Sequence, residues 1–407
     1  MRERAHTQIV SQVLLTYEEA LQVIRGQVHP LGRIVTLPLD KANGRVLAQQ
    51  VNSYDPYPRF DNSSVDGYAI GSASDGKTGG RLRLVGSVAA GEDHEITIKA
   101  GSAVRILTGA PTPPNTYGVV MQEDVEVGDD HIVLRSEVEK GDFIRPKGSE
   151  FQSGQILAQA GVPIDAGVAA LLAFAGCKSV QVFEPPRVTI VSTGDELVDI
   201  GEQPIGSQIR DTNSVMLGYQ VLKTTGDFPH TLRVSDNRDL LVSTLTEVAS
   251  KNDMILIAGG ASVGDRDYVA SAIAELGTIY FHGASIRPGK PILFGKIGDC
   301  FMFGLPGNPA SAFVCFEIFA KEALRLLTGF SSPEPRWMTA WASFPHKAAS
   351  RDDFVRVLLK GGEVTAAREQ GSFGLSSLAE ADGLARFPAS EDTGVGYECP
   401  VLWIRDH

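Results

Sequence analysis

The chain has 407 residues, 43% hydrophobic and 21% charged, with a formal net charge of -12; these are the proportions of a folded globular chain of roughly two to four domains. No apolar run approaches the roughly 18 residues of a membrane span (Gly167 to Cys177 is the best stretch), and the first twenty residues lack the apolar core of a secretory signal. The acidic balance argues against general nucleic-acid binding, and four scattered cysteines without CxxC spacing point to a reduced cytoplasm rather than to disulfides or a thiolate zinc site.

Residues 14–30 read as a helix opened by a Thr16/Glu19 capping box, with Ala20, Leu21 and Ile24 on the apolar face. Short extended pieces and a Pro/Asp-rich connector, DPYPRFDN, follow from Ile34 to Asp61. Between about 65 and 145, alternating runs such as RLRLVGSV, SAVRILTG and HIVLRSEV, separated by turn signals, predict a small all-β module. A helix is expected over 165–176, stopped by Gly176. From about 186 the apolar strands RVTIVS, TLRVS, DMILIA, TIYFH and CFMFG alternate with helical patterns over 213–225, 237–250, 267–276 and 310–327. That alternation predicts a doubly wound, mostly parallel sheet, so the fold class is multidomain α/β. Beyond Pro333, strand-like runs with Gly and Pro turns predict a second small β domain.

Ligands of an open parallel sheet sit beyond the carboxyl ends of its strands. The loops expected there are Thr193-Gly194-Asp195-Glu196, Asp236, Gly259-Gly260-Ala261-Ser262-Val263-Gly264-Asp265-Arg266-Asp267, and Leu305-Pro306-Gly307-Asn308-Pro309-Ala310-Ser311. The chain holds 43 glycines in 407 residues, against the ~7% of an ordinary protein, and many fall in such loops, where backbone amides meet anions. The carboxylates Asp195, Glu196, Asp236, Asp265 and Asp267 suit a hard cation such as Mg²⁺, which settles the conflict of acids beside an anion site. An acid before a helix is also an ordinary cap, which is the stronger reading of Asp236 alone; Asp195 and Glu196 read equally well as a solvated turn, and PGNP as a rigid one.

Arg287-Pro288-Gly289-Lys290-Pro291 puts two cations on a stiff turn, as an oxyanion clamp would. The dense loop Asp61-Asn62-Ser63-Ser64-Val65-Asp66-Gly67, far from the sheet domain in sequence, suits either a site at a domain or subunit junction or a solvated turn. Arg145, Lys147 and Glu150 occupy a second such connector. The eight histidines show no HExxH spacing, and neither a GxSxG elbow nor a P-loop is present, so a serine-nucleophile or ATPase reading has no support.

Taken together, FDNSSVDGYAI, RPKGSEF, VTIVSTGDELV, SQIRDTNS, GGASVGDRDYV, IRPGKPILFG and FGLPGNPASAFVCF resemble the motifs of the molybdopterin molybdenumtransferases, the MoeA family that includes the gephyrin E domain. The resemblance spans nearly the whole chain. It implies a cytoplasmic, elongated homodimer of four subdomains: a linking domain from 1–50 and 147–182, a β-rich module 51–146, a molybdopterin-binding α/β domain 183–329, and a β domain 330–407. The implied activity is insertion of molybdenum from molybdate into adenylylated molybdopterin, with Mg²⁺-dependent release of AMP. Asp195, Glu196, Asp236, Asp265 and Asp267 would hold the metal, and Asp61, Asp66, Glu196, Asp267 and Lys290 would serve the chemistry. Thr193, Gly194, Gly259, Gly260, Ser262, Gly264, Arg287, Pro291, Pro306, Gly307, Asn308 and Ser311 would bind the pterin and the oxyanion, with Arg356 and Ser372 closing the molybdate end. Asp61 and Asp66 would come from the second subunit, and a pterin-adenylylating enzyme is an implied partner.

Three positions depart from the family pattern: Glu150 stands where aspartate is usual, and Gly283 and Arg287 where lysines are usual. The competing expectations are therefore a catalytically weakened pterin- or oxyanion-binding scaffold and a tungstate-preferring insertase. A pterin-adenylylating enzyme fits less well, because that family is a single sheet domain without flanking β modules.

Overall fold

A computed structural model describes residues 14–91, 95–259 and 268–405. The chain divides into two compact units: Met1–Gln49 with Ala160–Asp165 and Ser179–His407, and Gln50–Gln159 with Ala166–Lys178. Residues 147–159 and 166–178 thus pack with the β-rich module.

In the first unit, the N-terminal helix forms over Tyr17–Gln27. The Thr16 hydroxyl accepts from the Glu19 amide at 3.2 Å and the Glu19 carboxylate accepts from the Thr16 amide at 2.8 Å, so two otherwise orphaned donors are satisfied. Tyr17, Ala20, Leu21 and Ile24 are buried, one apolar stripe at helical spacing.

The central sheet runs in the order His230–Val234, Val188–Thr193, Met254–Ala258, Cys300–Leu305, Leu293–Ile297, Thr278–His282. Its first four strands are parallel. The last two pairings are antiparallel; for Leu293–Ile297 and Cys300–Leu305 the reason is that only Gly298 and Asp299 separate them, too short a link for a parallel crossover. Strand alternation feeds two cores. Ile190, Leu256 and Phe303 pack with the helices Tyr17–Gln27, Thr212–Thr225 and Lys321–Thr328, while Val191, Ile255 and Met302 pack with Arg238–Ala249 and Tyr268–Leu276. The doubly wound expectation holds. One expected helix does not: 310–327 is Pro309–Cys315 and Lys321–Thr328, with a wider π turn over Phe316–Ala320 between them. That turn buries Glu317, whose carboxylate accepts from Gln220 at 2.9 Å and from Lys321 at 2.8 Å.

The C-terminal strands Trp337–Ala342, Glu398–Trp403, Gly383–Phe387, Asp352–Lys360 and Glu363–Ala366 pair in turn, and the last returns to the first, closing a small barrel. Its interior holds Val357, Val364, Phe387 and Val401, all fully buried. The two-residue strand Ile286–Arg287 adds parallel to Asp352 and Asp353. This pairing sets the cationic turn after Arg287 against the barrel.

In the second unit, six strands lie in the order Gly118–Met121, Gly67–Ile70, Ser102–Ile106, Arg81–Val88, His131–Leu134, Val125–Val127, the β module expected from the alternating runs. Tyr57, Phe151 and Phe174 form an aromatic cluster with centroids 5.1–5.4 Å apart. Among the described residues, no helix is long and apolar enough to cross a membrane.

Candidate active site

Parallel strands that end together bring their following loops together. Thr193 ends its strand opposite Val234 of the neighbour, and its hydroxyl donates to Asp236 at 2.8 Å. The Asp236 amide in turn donates to the Asp195 carboxylate at 3.0 Å. Asp195, Glu196 and Asp236 are exposed. Each bonded aspartate commits one carboxylate oxygen to these bonds and leaves the other outside them. Exposed oxygen donors at one sheet edge suit a hard cation, although no three acidic, histidine or cysteine side chains close on one point among the described residues. Gly260, Ser262, Gly264, Asp265 and Asp267 lie outside the described residues.

Gly259 turns the chain out of its strand with φ +98°, and a Cβ there would come within 2.5 Å of the Thr193 carbonyl, so only glycine fits. A Cβ on Gly307 would lie 3.7 Å from the Gly259 Cα, which places the Leu305–Ser311 loop beside the Thr193 edge. Asn213 donates to the Gly307 carbonyl at 2.7 Å. Pro306 is buried and Asn308 exposed. Asn308 makes no cap bond to its own helix; its side-chain amide donates to the Ser372 hydroxyl at 2.9 Å. The Ala310 amide donates to the Ser372 carbonyl at 3.0 Å, so that first-turn donor already has a protein acceptor.

Ser372 leads to a pocket of about 750 Å³. One wall is the turn with Arg287, Lys290 and Pro291, together with Ser311. The other is the barrel's loops, with His346, Lys347, Arg351, Asp353, Gln370 and Ser372. Four lining cations (Arg287, Lys290, Lys347, Arg351) face one carboxylate, Asp353. That carboxylate is buried and spoken for: it accepts from Arg287 and, at 2.9 Å, from His346. The pocket therefore presents a net positive lining with two serine hydroxyls, the chemistry of an oxyanion site. A cleft of similar size, about 710 Å³, opens at the opposite edge of the sheet among Val35, Leu37, Phe228 and Leu232, remote from these groups.

Arg356 is not exposed at the pocket, contrary to what the resemblance implies. It has no exposed surface and does not line the pocket, so it cannot close on a ligand directly. It lies buried at the middle of the strand Asp352–Lys360, whereas Arg351 precedes that strand, lines the pocket and donates to the Ile286 carbonyl at 3.0 Å. His346, Lys347, Arg351 and Gln370 were not singled out in the sequence; the basic stretch HKAASR was the available signal.

Gly283 adopts φ +101°, and a Cβ there would meet Leu14 Cδ2 at 2.6 Å. Its amide donates to Ile292 and the next amide to the Lys290 carbonyl at 3.0 Å, closing the base of the cationic turn. In the second unit, Asp61 accepts from the Lys147 amide at 2.6 Å. Asp66 accepts from the Thr108 hydroxyl and amide, each at 2.7 Å, and these bonds hold its carboxyl below the usual aspartate range. Both aspartates are exposed, as are Arg145, Lys147 and Glu150.

Comparison with known proteins agrees along the chain. Family profiles described as the MoeA N-terminal region (domain I and II), a probable molybdopterin binding domain and the MoeA C-terminal region (domain IV) match residues 15–176, 189–326 and 341–403. A molybdopterin molybdenumtransferase of Nostoc sp. is 36% identical over 71% of this chain and 68% of its own length. That of Haemophilus influenzae is 32% identical over 84% and 85%. The crystal structure of a molybdopterin biosynthesis moeA protein from Pyrococcus horikoshii superposes with a TM-score of 0.83 at 27% identity, covering 96% of this chain and all of that one. With profiles, relatives and fold in agreement, the chain belongs to the MoeA family of molybdopterin molybdenumtransferases.

Proposed function

We propose that this transferase of molybdenum cofactor biosynthesis takes molybdenum from molybdate, inserts it into adenylylated molybdopterin and releases AMP, as a Mg²⁺-dependent homodimer in the cytoplasm. The observation that carries the reading is the Asn308–Ser372 hydrogen bond, which joins the loop at the sheet's carboxyl edge to the wall of the cation-lined pocket. A ligand with a phosphate at one end and a metal-accepting dithiolene at the other meets amides and acids first, then cations and hydroxyls. Lys290, Arg351, Ser311 and Ser372 hold the molybdate oxygens, and the rate gain comes from positioning, with no covalent enzyme intermediate. Asp195, Glu196 and Asp236, with Asp265 and Asp267, would hold Mg²⁺, whose contribution when bound is to offset charge on the phosphoanhydride. The Thr193 hydroxyl keeps Asp236 oriented for that role. In this reading Asp61 and Asp66 of the partner subunit complete the site, and a pterin-adenylylating enzyme supplies the substrate.

The test is direct. Purified protein loaded with adenylylated molybdopterin releases AMP when molybdate and Mg²⁺ are added, and tungstate in parallel reads the oxyanion preference. Binding of both ligands without AMP release would sink the enzyme reading. A scaffold that keeps the pocket without turnover would take its place, a second reading favoured by Gly283, whose left-handed φ of +101° strains any side chain placed there, the family's lysine included. A strict monomer by light scattering would sink the shared site.

A further inference from the structure

Arg356 is a fully buried arginine with no ion-pair partner among the described residues. Its Nε donates to the Ser377 hydroxyl at 2.8 Å, and its Nη2 donates to the Glu369 and Gly371 carbonyls at 3.0 Å each. Its own amide and carbonyl are clasped by the Gln370 side chain at 3.0 and 2.7 Å. Nη1 is buried without an acceptor. A charge held this way is costly where an apolar side chain would pack more cheaply, so packing does not account for it. Apart from the bond to Ser377, every bond of the Arg356 guanidinium ends on the Glu369 and Gly371 carbonyls, in the turn that leads directly into Ser372.

Ser372 is fixed from its other side as well. Its hydroxyl accepts from Asn308 and its carbonyl from the Ala310 amide. The barrel and the sheet-edge loop thus meet at one residue that also lines the cationic pocket. We propose that Arg356 is a positioning residue: it braces the 369–371 turn so that Ser372 serves at once as an oxyanion ligand and as the latch between the barrel and the Leu305–Ser311 loop. The inference rests on the reading of this pocket as the molybdate end. Lysine cannot replace the arginine here, since a single ammonium on a flexible stem does not span two carbonyls and a hydroxyl in a fixed plane.

The experiment measures molybdate binding by calorimetry and amide hydrogen exchange for wild type, Arg356→Lys, Ser372→Ala and the double variant. Arg356→Lys is expected to weaken molybdate binding about tenfold, the loss of one hydrogen bond to a charged group. It should also speed exchange of the Ala310 amide while amides of the central strand Met254–Ala258 stay protected. In the Ser372→Ala background the lysine should add no further loss, because Arg356 acts through Ser372. Should Arg356→Lys fail to fold, Ser377→Ala removes one brace and leaves the arginine in place, with an expected weakening of about threefold. Wild-type affinity in Arg356→Lys and Ser377→Ala, or losses that multiply in the double variant, would overturn the inference. A wild type that binds no molybdate would overturn the pocket reading itself, and this inference with it.

Discussion

Restoring the family's lysine at Gly283 should damage this protein before it can help it. The φ of +101° lies where side-chain-bearing residues are strained, at a cost of about 1–3 kcal/mol. The added Cβ also meets Leu14 Cδ2 at 2.6 Å, a contact a flexible leucine relieves by turning away. Most of the penalty is therefore backbone strain and should already appear in Gly283→Ala. Gly283→Lys adds little to it, and Leu14→Ala in the lysine background recovers only the contact. In a unit of this size each kcal/mol lowers Tm by about 2 °C, so thermal melting of the four proteins separates the two terms. The strained turn is the one that holds Lys290, because the Ala284 amide donates to the Lys290 carbonyl; molybdate affinity should not improve despite the added charge. A Gly283→Lys protein that melts at or above the wild type, or binds molybdate more tightly, would refute the argument.

Two further outcomes are expected. The Thr108 hydroxyl and amide depress the Asp66 carboxyl, so the stabilisation these bonds give is present above the unfolded value and is lost as pH falls through the lower folded one. An NMR titration of the Thr108 amide should show its inflection below the ordinary aspartate value of about 3.9, and an inflection at or above it would contradict the geometry. Of the four cysteines, Cys300, Cys315 and Cys399 are buried, and burial pushes Cys300 up to about 12, Cys399 up to about 11 and Cys315 further still. Cys177 is only partly covered and its thiol is raised less. A thiol reagent should therefore modify one cysteine in the native protein and all four in denaturant; fast modification of a second native thiol would count against the core packing.

The sheet-edge half of the site was legible because each loop announces itself locally. An apolar strand ends, glycine and an acid follow, and the parallel topology then places all such ends on one edge, as with Thr193, Asp195 and Asp236. The second wall of the pocket was not, since it depends on a pairing between Ile286–Arg287 and Asp352–Asp353, residues more than 60 positions apart with no shared pattern. Strand register decided between two arginines that look alike in SRDDFVRV. The strand opens at Asp352, which leaves Arg351 in the loop facing the pocket and carries Arg356 into the interior. The split of the 310–327 helix was hidden for a different reason: AFVCFEIFA is apolar on almost every side, so an extra residue in the turn leaves no break in the pattern.

Net charge and local charge give opposite expectations for a dianionic substrate, and distance decides between them. The chain carries -12 overall, but at physiological ionic strength exposed charges beyond about 8 Å are largely screened. A cation in contact at 4 Å near a protein surface contributes on the order of 4 kcal/mol of attraction before desolvation, and the pocket offers four candidates against a carboxylate already paired with Arg287 and His346. The acids that do face solvent, Asp195 and Asp236, stand at the strand ends and are not among the residues lining the pocket. That division makes one edge of the sheet suited to a hard cation and the adjoining pocket suited to an oxyanion. The Asn308 and Ala310 bonds to Ser372 join the two, so the acidic balance of the whole chain is compatible with the anion chemistry proposed for the pocket.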